Sequence, residues 1–152
     1  MIFLRPAAAA DQSCIVAIIR EADVNPMDLK WKNFVLAVDE ATGEIVGTGQ
    51  IKTHGDGSRE LASMAVIPAY QRRGLAHQII EHLLALHGNQ GTLYLTCRAE
   101  MGAFYEPFGF RVIRGNELPP YFRRLKRFVG IFERLLREEK LLVMKRDGYL
   151  YS

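Results

Sequence analysis

The stretch E-L-A-S-M-A-V-I-P-A-Y-Q-R-R-G-L-A, residues 60–76, decides the fold. It begins with an apolar run typical of a buried strand, which Pro68 stops, and it ends with Gly74 and the start of a helical pattern. The first backbone N–H groups of a helix lack partners within the helix and lie at the positive end of its dipole. This strand-to-helix junction therefore favours a bound anion such as a pyrophosphate.

Two arginines and two small residues support that interpretation. Arg72 and Arg73 match the charge of a diphosphate or a ribose phosphate, whereas at a helix start without an anion they would oppose the dipole. Gly74 lets the main chain approach a ligand closely, and Ala76 keeps the next position small. A solvated R-R-G turn is the alternative, because so short a motif is weak evidence by itself.

Upstream of this stretch the sequence predicts an antiparallel meander. The Asn25-Pro26 pair interrupts the helical pattern that precedes it, and the segment after it is either a short helix or a loop. Hydrophobic spacing and turn residues predict a strand at 2–5, a helix at about 8–22, the ambiguous segment at 27–31, and strands at 34–39, 45–53 and about 59–67.

Downstream the chain alternates helices and strands. The helix that follows Gly74 ends at His87-Gly88 and leads to a fifth strand, so a right-handed crossover places strands four and five in parallel. The remaining predicted elements are the fifth strand at 92–96, a short helix at 100–106, a strand at 110–113, a long helix at 121–138 and a strand at 141–145. The fold class is therefore α/β, with a mixed, mostly antiparallel seven-stranded sheet.

Composition limits the class of protein. The chain of 152 residues suits one domain over 1–152, and its net charge of +3 is too small for a dedicated nucleic-acid binder. It shows neither a signal peptide nor an apolar stretch near the roughly 18 residues of a membrane span. Cys14 and Cys97 have no disulfide or metal spacing, so we expect buried free thiols and a cytoplasmic location.

Two motifs carry a resemblance to a known family. Q-R-R-G-L-A at 71–76 matches the Q/R-x-x-G-x-G/A motif of the GNAT superfamily of N-acetyltransferases. A-F-Y-E-P-F-G-F at Ala103–Phe110 resembles its second signature, in which a tyrosine and a G-F pair follow the fifth strand. The chain is identified as a member over most of residues 2–113. The resemblance implies acetyl-CoA as co-substrate and no metal.

The family fold assigns the cofactor contacts. It has three layers, helices on both faces of the sheet, and strands four and five splayed around the pantetheine arm. Carried over, main-chain groups of strand four bind pantetheine and the helix start binds the pyrophosphate. The residues are Ser63, Met64, Ala65 and Val66 for the first group, and Gln71, Arg72, Arg73, Gly74, Leu75 and Ala76 for the second.

The resemblance also implies two catalytic residues. Tyr105 stands where the family has a tyrosine that donates a hydrogen bond or a proton to the departing sulfur; alternatively it is a core aromatic. Glu60 has the spacing of a general base that acts directly or through water; alternatively it faces solvent and pairs with Lys52 or Arg59. Where many members have an asparagine this chain has Ala99, and Arg98, Glu100 or backbone groups are candidate replacements.

The other titratable side chains offer no further site. The four histidines show no metal-ligand pattern, so surface positions are expected for all of them: His54, His77, His82 and His87. Cys97 ends strand five without an evident activating base, and we interpret it as a packing residue.

The helix at about 120–138 is inserted between the last two strands, where simple family members have a short connection. Its polar face is rich in arginine and its other face is a broad apolar stripe. Three interpretations remain open: it covers its own domain and walls the acceptor cleft, it forms a homodimer interface, or it meets an acidic partner or membrane surface. Its positive charge would disfavour polycationic acceptors.

Two functions follow. The first is an N-acetyltransferase that transfers acetyl from acetyl-CoA to a primary amine of a small molecule, a peptide N-terminus or a lysine, by direct attack in a ternary complex. The second is a non-catalytic acyl-CoA-binding or sensing module. Tyr105 and Glu60 favour the enzyme.

Overall fold

The computed structural model describes residues 1–87 and 90–148. Gly88, predicted to close the second helix, and residues 149–152 of the predicted domain lie outside the described residues. In chain order the elements are β1 (Ile2–Pro6), α1 (Gln12–Glu21), β2 (Phe34–Asp39), β3 (Ile45–Thr53), β4 (Arg59–Val66), α2 (Leu75–His87), β5 (Leu93–Arg98), α3 (Gly102–Tyr105), β6 (Arg111–Ile113), α4 (Pro120–Leu136) and β7 (Leu141–Arg146).

The seven strands form one mixed sheet in the order β1-β2-β3-β4-β5-β7-β6. Strands β4 and β5 are parallel, with Arg59 opposite Leu93 and Glu60 opposite Tyr94. Antiparallel pairing joins β1 to β2, β2 to β3, β5 to β7 and β6 to β7. The predicted α/β class, with a mixed sheet and a crossover helix between two parallel strands, is confirmed.

Element boundaries differ where local side chains intervene. Helix α1 begins four residues later than predicted, at Gln12, because a short 3-10 turn precedes it. In that turn Asp11 accepts a hydrogen bond from the Ala8 N–H and pairs with Arg5 at 2.8 Å. The ambiguous segment before β2 is a loop that ends in a 3-10 turn at Trp31–Asn33. The predicted helix at 100–106 is three short turns, of which only α3 is α-helical.

The chain divides into two compact units. The first comprises Met1–Lys52 and Leu61–His87. Its core contains buried residues of α1, β2 and α2, including Ile15, Leu36 and Ile79. Helix α2 lies very close to β3, because a Cβ atom at Gly49 would lie 2.7 Å from Ile79 Cγ2 and 2.8 Å from Met64 Sδ. A glycine at this position therefore sets the spacing between strand and helix.

The second unit comprises Thr53–Glu60 and the described residues from 90 onward. Its core is built on Phe122 of α4, which is fully buried with Ile113, Leu118 and Val143. Burying one such ring contributes about 1.5–3 kcal/mol. The first half of α4 thus covers its own unit, which is one of the three interpretations that the sequence leaves open. For the second half that interpretation is wrong, since the predicted stripe residues Phe128, Phe132, Leu135 and Leu136 are exposed.

Candidate active site

The start of α2 is an open cluster of backbone donors. Arg72 and Gly74 have positive φ angles of 63° and 78°, which turn the chain sharply before Leu75. The Gln78 N–H donates to the Gly74 carbonyl at 3.1 Å, so the N–H groups just before Gln78 precede the helical ladder. The N–H groups of Arg72, Arg73 and Gly74 make no hydrogen bond with the described part of the chain. Together these groups form an anion-binding concavity.

Aromatic and acidic side chains hold one arginine at this turn. The Arg73 guanidinium lies over the Tyr70 ring, 5.0 Å from its centroid, and the Tyr70 hydroxyl donates to Asp39. That hydrogen bond raises the pKa of Tyr70 and lowers the pKa of Asp39. The ring therefore orients Arg73, and neither Arg73 nor the exposed Arg72 forms an ion pair with the described residues. Both charges are free to meet an anion.

The main chain of β4 is irregular at Ser63. This buried residue has a φ of 58°, and its carbonyl accepts a hydrogen bond from Thr48 Oγ1 at 2.8 Å. Its hydroxyl accepts from Gln50 Nε2 at 2.7 Å, whereas Gln50 Oε1 is buried without a partner in the described residues. The Val66 carbonyl accepts from Gln71 Nε2 at 2.9 Å, which connects the end of β4 to the turn before α2.

A cavity of about 470 Å³ lies beside this part of the first unit. Its volume is in the range of small-ligand sites. It extends from the end of α1 along β4 to the turn, and its lining includes Glu21, Met64, Ala65, Val66, Pro68 and Gln71. Four residues assigned to the cofactor by resemblance are therefore in one cavity.

Tyr105, at the end of α3, has a hydroxyl that makes no hydrogen bond with the described residues. Its ring packs edge-on against Phe104 and Phe110, at centroid distances of 5.0 Å and 6.3 Å. Burial, with a smaller contribution from Cys97, raises the pKa of Tyr105 to about 12. Burial likewise raises the pKa of the Cys97 thiol to about 11. Tyr105 is thus a protonated donor at any physiological pH, and Cys97 is an unreactive thiol.

Glu60 is buried and pairs with a histidine, which contradicts both its expected alternative and the expected surface position of His54. The side chains of Glu60 and His54 are 7% and 5% exposed, and Oε1 lies 2.7 Å from Nε2. Neither Lys52 nor Arg59 is the partner of this carboxylate. The second oxygen, Oε2, has no hydrogen-bond partner among residues 1–87 and 90–148. One oxygen is therefore anchored and the other is available to take a proton.

Helix α4 holds His54 in place. The imidazole stacks on the Tyr121 ring at a centroid distance of 3.5 Å and an angle of 12°, and it meets Phe122 edge-on. Asp56, in the same hairpin, accepts a hydrogen bond from the Tyr121 backbone N–H at 2.9 Å. This contact caps a helix whose own N-cap residue is Pro119 and offers no side-chain oxygen. The hairpin and the helix start thus stabilise each other.

Hydrogen bonds from Ser58 and Tyr121 keep the Asp56 carboxyl group ionised. Burial alone would raise its pKa, but hydrogen bonds from the Ser58 hydroxyl and from the backbone N–H groups of Tyr121 and Ser58 lower it to about 2. The hairpin is closed by two backbone bonds, from His54 to the Ser58 carbonyl and from Gly57 to the His54 carbonyl. A charged cap on α4 is therefore present throughout the physiological range.

The remaining predicted residues have structural surroundings. His77 is exposed and pairs with Glu81 at 2.9 Å, and His82 and His87 are half-buried. Cys14 and Cys97 are free thiols, half-buried rather than fully buried. Ala99 donates its backbone N–H to the Lys140 carbonyl at 3.0 Å. In the described ranges no three His, Cys, Asp or Glu side chains converge as metal ligands, and no helix is both long and apolar enough to cross a bilayer.

The family model described as Acetyltransferase (GNAT) domain matches residues 30–112, more than half of the chain. The protein therefore belongs to the GNAT acetyltransferases, as the two sequence motifs predicted. A comparison with curated proteins finds no match.

Solved structures share the fold. N-acetylglutamate synthase from Neisseria gonorrhoeae, complexed with coenzyme A and N-acetyl-glutamate, has a TM-score of 0.76 at 20% identity over 99% of this chain. This chain spans only 36% of that protein. The ribosomal-protein-S18-alanine N-acetyltransferase from Escherichia coli has a TM-score of 0.70 at 18% identity, with 100% of this chain and 97% of that chain covered. A Mycobacterium tuberculosis protein in complex with CoA and NLQ has a TM-score of 0.73 at 17% identity, with 97% and 99% covered.

Proposed function

We propose that this protein transfers an acetyl group from acetyl-CoA to a primary amine by direct attack in a ternary complex. The observation that carries the proposal is the Tyr105 hydroxyl, which burial keeps protonated and which has no hydrogen-bond partner in the described chain. Such a donor suits the sulfur that departs from a thioester. Membership of the GNAT acetyltransferases and structural neighbours that contain coenzyme A support the same reaction.

Donors without a partner in the described part of the chain support the proposed cofactor contacts. The N–H groups of residues 72–76 and the two arginines receive the pyrophosphate. Main-chain groups of Ser63, Met64, Ala65 and Val66 bind the pantetheine arm, although the Ser63 and Val66 carbonyls already accept side-chain bonds. The buried Gln50 oxygen beside Ser63, which has no partner among the described residues, is a suitable acceptor for an amide N–H of that arm.

Glu60 accepts the proton that activates the acceptor. An alkylammonium with a pKa near ~10.4 is almost fully protonated at pH 7, so a base must remove a proton before the nitrogen can attack. His54 fixes Oε1 of Glu60, and Oε2 takes the proton directly or through one water. The amine nitrogen then bonds to the acetyl carbon while the carbon–sulfur bond breaks. The second amine proton leaves to solvent.

Tyr105 stabilises the departing thiolate chiefly as a hydrogen-bond donor. A thiol has a pKa near ~8.5, so full proton transfer from a phenol whose pKa is about 12 is uphill by about 5 kcal/mol. A hydrogen bond to the developing charge avoids that cost. The thiolate then takes its proton from solvent as coenzyme A leaves.

The acceptor in this proposal is an acidic or neutral amine rather than a polycation. The exposed arginines of α4 repel a polyamine but tolerate a carboxylate. The neighbour complexed with N-acetyl-glutamate is consistent with an acidic acceptor. Comparable turnover of spermidine and of glutamate would refute this preference.

Release of coenzyme A from acetyl-CoA, measured with a panel of amines, tests the function. We expect amine-dependent turnover, and acetyl-CoA at 100 times its dissociation constant should stabilise the fold by ~2.7 kcal/mol. Stabilisation without turnover across acidic, neutral and basic amines would favour a non-catalytic acyl-CoA-binding module. Absence of both would refute the cofactor assignment.

A further inference from the structure

The second half of α4 exposes five large apolar side chains within nine residues. We call them the α4 stripe: Phe128, Ile131, Phe132, Leu135 and Leu136, which are 67%, 60%, 58%, 77% and 58% exposed. Scattered exposed apolar residues are ordinary, but a contiguous stripe on one helix marks an interaction surface. No residue of the described ranges covers it.

The exposed charged side chains around the α4 stripe are mainly arginines. Four exposed arginines of this segment form no ion pair with any residue in the described part of the chain: Arg124, Arg127, Arg134 and Arg137. The neighbouring acids are neutralised inside the chain, since Glu133 lies 2.9 Å from Lys126 Nζ and Glu139 pairs with Arg114 and Lys126. The surface therefore presents apolar and cationic groups together.

Hydrogen bonds connect the middle of α4 to the neighbouring strand. Lys126 Nζ donates to the Leu141 carbonyl at 2.7 Å, and Glu133 Oε2 accepts the N–H groups of Lys140 at 2.7 Å and Leu141 at 3.2 Å. These half-buried bonds tie the middle of α4 to the start of β7. A partner would therefore find a preformed surface, and binding would not have to order the helix.

We propose that the α4 stripe binds in the plane of an anionic lipid bilayer surface, a property beyond the acetyl transfer proposed above. The apolar side chains would enter the boundary between headgroups and acyl chains, while the arginines reach lipid phosphates. A second copy of the chain fits the α4 stripe less well, because it would bring the same four arginines close to those of the first copy. Its Glu138 would not offset this charge, since Lys140 already lies nearby. Charge complementarity thus selects an anionic surface.

Co-sedimentation of the full chain with lipid vesicles tests the proposal. Vesicles of phosphatidylcholine with about a quarter phosphatidylglycerol should bind the protein at low salt, and pure phosphatidylcholine should bind it at least tenfold more weakly. The variant with Phe128→Ser and Phe132→Ser should lose binding, whereas Met27→Ser, which alters an equally exposed apolar residue elsewhere, should not. Arg127→Gln with Arg134→Gln should weaken binding on the order of 20-fold, and Arg20→Gln much less.

The same experiment has clear contrary outcomes. Absence of binding to anionic vesicles, or equal binding to neutral ones, overturns the proposal. So does a dimer in sedimentation equilibrium that Phe128→Ser and Phe132→Ser dissolve, because a second copy would then cover the stripe. The arginine variant keeps every apolar residue, so it still tests the proposal if the serine variant fails to fold.

Discussion

Two regions of this molecule prepare polar groups in opposite ways. The α2 start, residues 70–76, has exposed arginines and backbone N–H groups without partners in the described chain. The hairpin–α4 junction, formed by residues 54–60 with Tyr121 and Phe122, buries His54 and Glu60 as a pair and leaves Oε2 of Glu60 without a partner among the described residues. The first region leaves its donors for a large anion to satisfy. In the second, His54 orients the carboxylate of Glu60. Changes at these two residues should therefore alter kcat, whereas changes at the α2 start should alter cofactor affinity.

The largest effect should come from Glu60→Gln, which keeps the shape but removes the base. We expect kcat to fall on the order of 100-fold or more at pH 7, with an unchanged KM for acetyl-CoA. The deficit should shrink as the pH approaches the pKa of the amine, ~10.4, because free amine then needs no base. A deficit that stays constant from pH 7 to pH 10 would mean that Glu60 does not accept the proton.

Tyr105→Phe should lower kcat by roughly 10- to 100-fold, because the thiolate loses its donor. Cofactor affinity should change little, since the hydroxyl acts on charge that develops only during reaction. Tyr94→Phe, a matched loss of one hydroxyl in the same unit, should keep nearly full activity. Steady-state kinetics separate the two outcomes, and a Tyr105 variant that raises only the KM would assign the hydroxyl to binding.

His54→Leu should lower kcat about tenfold, since Glu60 loses the group that fixes its Oε1. His54→Gln should recover most of that loss, because its amide N–H can donate in place of Nε2. The KM for acetyl-CoA should stay unchanged in both variants. If both lose activity in proportion to their loss of thermal stability, then His54 is only a packing residue.

Arg73→Ala should act on the other region. We expect the Kd of acetyl-CoA to rise roughly tenfold with little change in kcat, as one charge-assisted contact is lost. Acetyl-dephospho-CoA, which keeps the pyrophosphate, should show the same ratio between wild type and variant. A ratio near one with the dephospho compound would instead place Arg73 at the ribose phosphate.

Asp56→Ala should have the smallest effect, on stability rather than on chemistry. The lost cap of α4 should cost about 1 kcal/mol at pH 7, a value reduced by solvent screening because Asp56 is exposed. The folded pKa of Asp56 is about 2 and lies below the unfolded value near ~3.9. The stabilisation is therefore complete above about pH 4 and is lost as the pH falls toward 2.

Urea unfolding at pH 7 and at pH 2 checks this dependence. The difference between wild type and Asp56→Ala should nearly vanish at the lower pH. Glu40 is an exposed acid whose side chain makes no hydrogen bond with the described residues, so Glu40→Ala should show little difference at either pH. A difference that persists at pH 2 would show that the carboxylate charge is not what stabilises α4.

Local pattern predicted most of the fold. Strands β2 and β3 begin and end where alternation and turn residues placed them, and α2 begins at Leu75 directly after Gly74. The start of α1 was misplaced because a tertiary contact, Arg5 with Asp11, stabilises a 3-10 turn that the helical spacing does not reveal. Hydrophobic periodicity shows which face of a helix or strand is buried. It does not show where tertiary contacts shift the first or last residue of that element.

The candidate site was less predictable than the fold. The motif at residues 71–76 predicted a donor-rich turn, and the turn has that character. His54 was missed because its burial depends on Tyr121, a residue 67 positions away that stacks on it. In the sequence, His54 followed by Gly55-Asp56-Gly57 indicates a turn and does not reveal that the histidine is buried. Likewise, the apolar stripe of α4 predicted a helix and could not predict that its second half would remain uncovered.

The two glycines of β3 determine how closely α2 packs on the sheet, and thereby where the first turn of that helix lies. A Cβ atom at Gly47 would meet Ile79 Cδ1 at 3.0 Å, and one at Gly49 would meet Ile79 and Met64 more closely still. Because α2 packs directly against these glycines, a side chain at either position would push the helix, together with its first turn, away from the sheet. The affinity for the cofactor should therefore depend partly on two glycines of β3 that are not themselves assigned to the binding site. A screen of random mutants for cofactor affinity should therefore identify substitutions of Gly49, although this residue lies outside the assigned cofactor contacts.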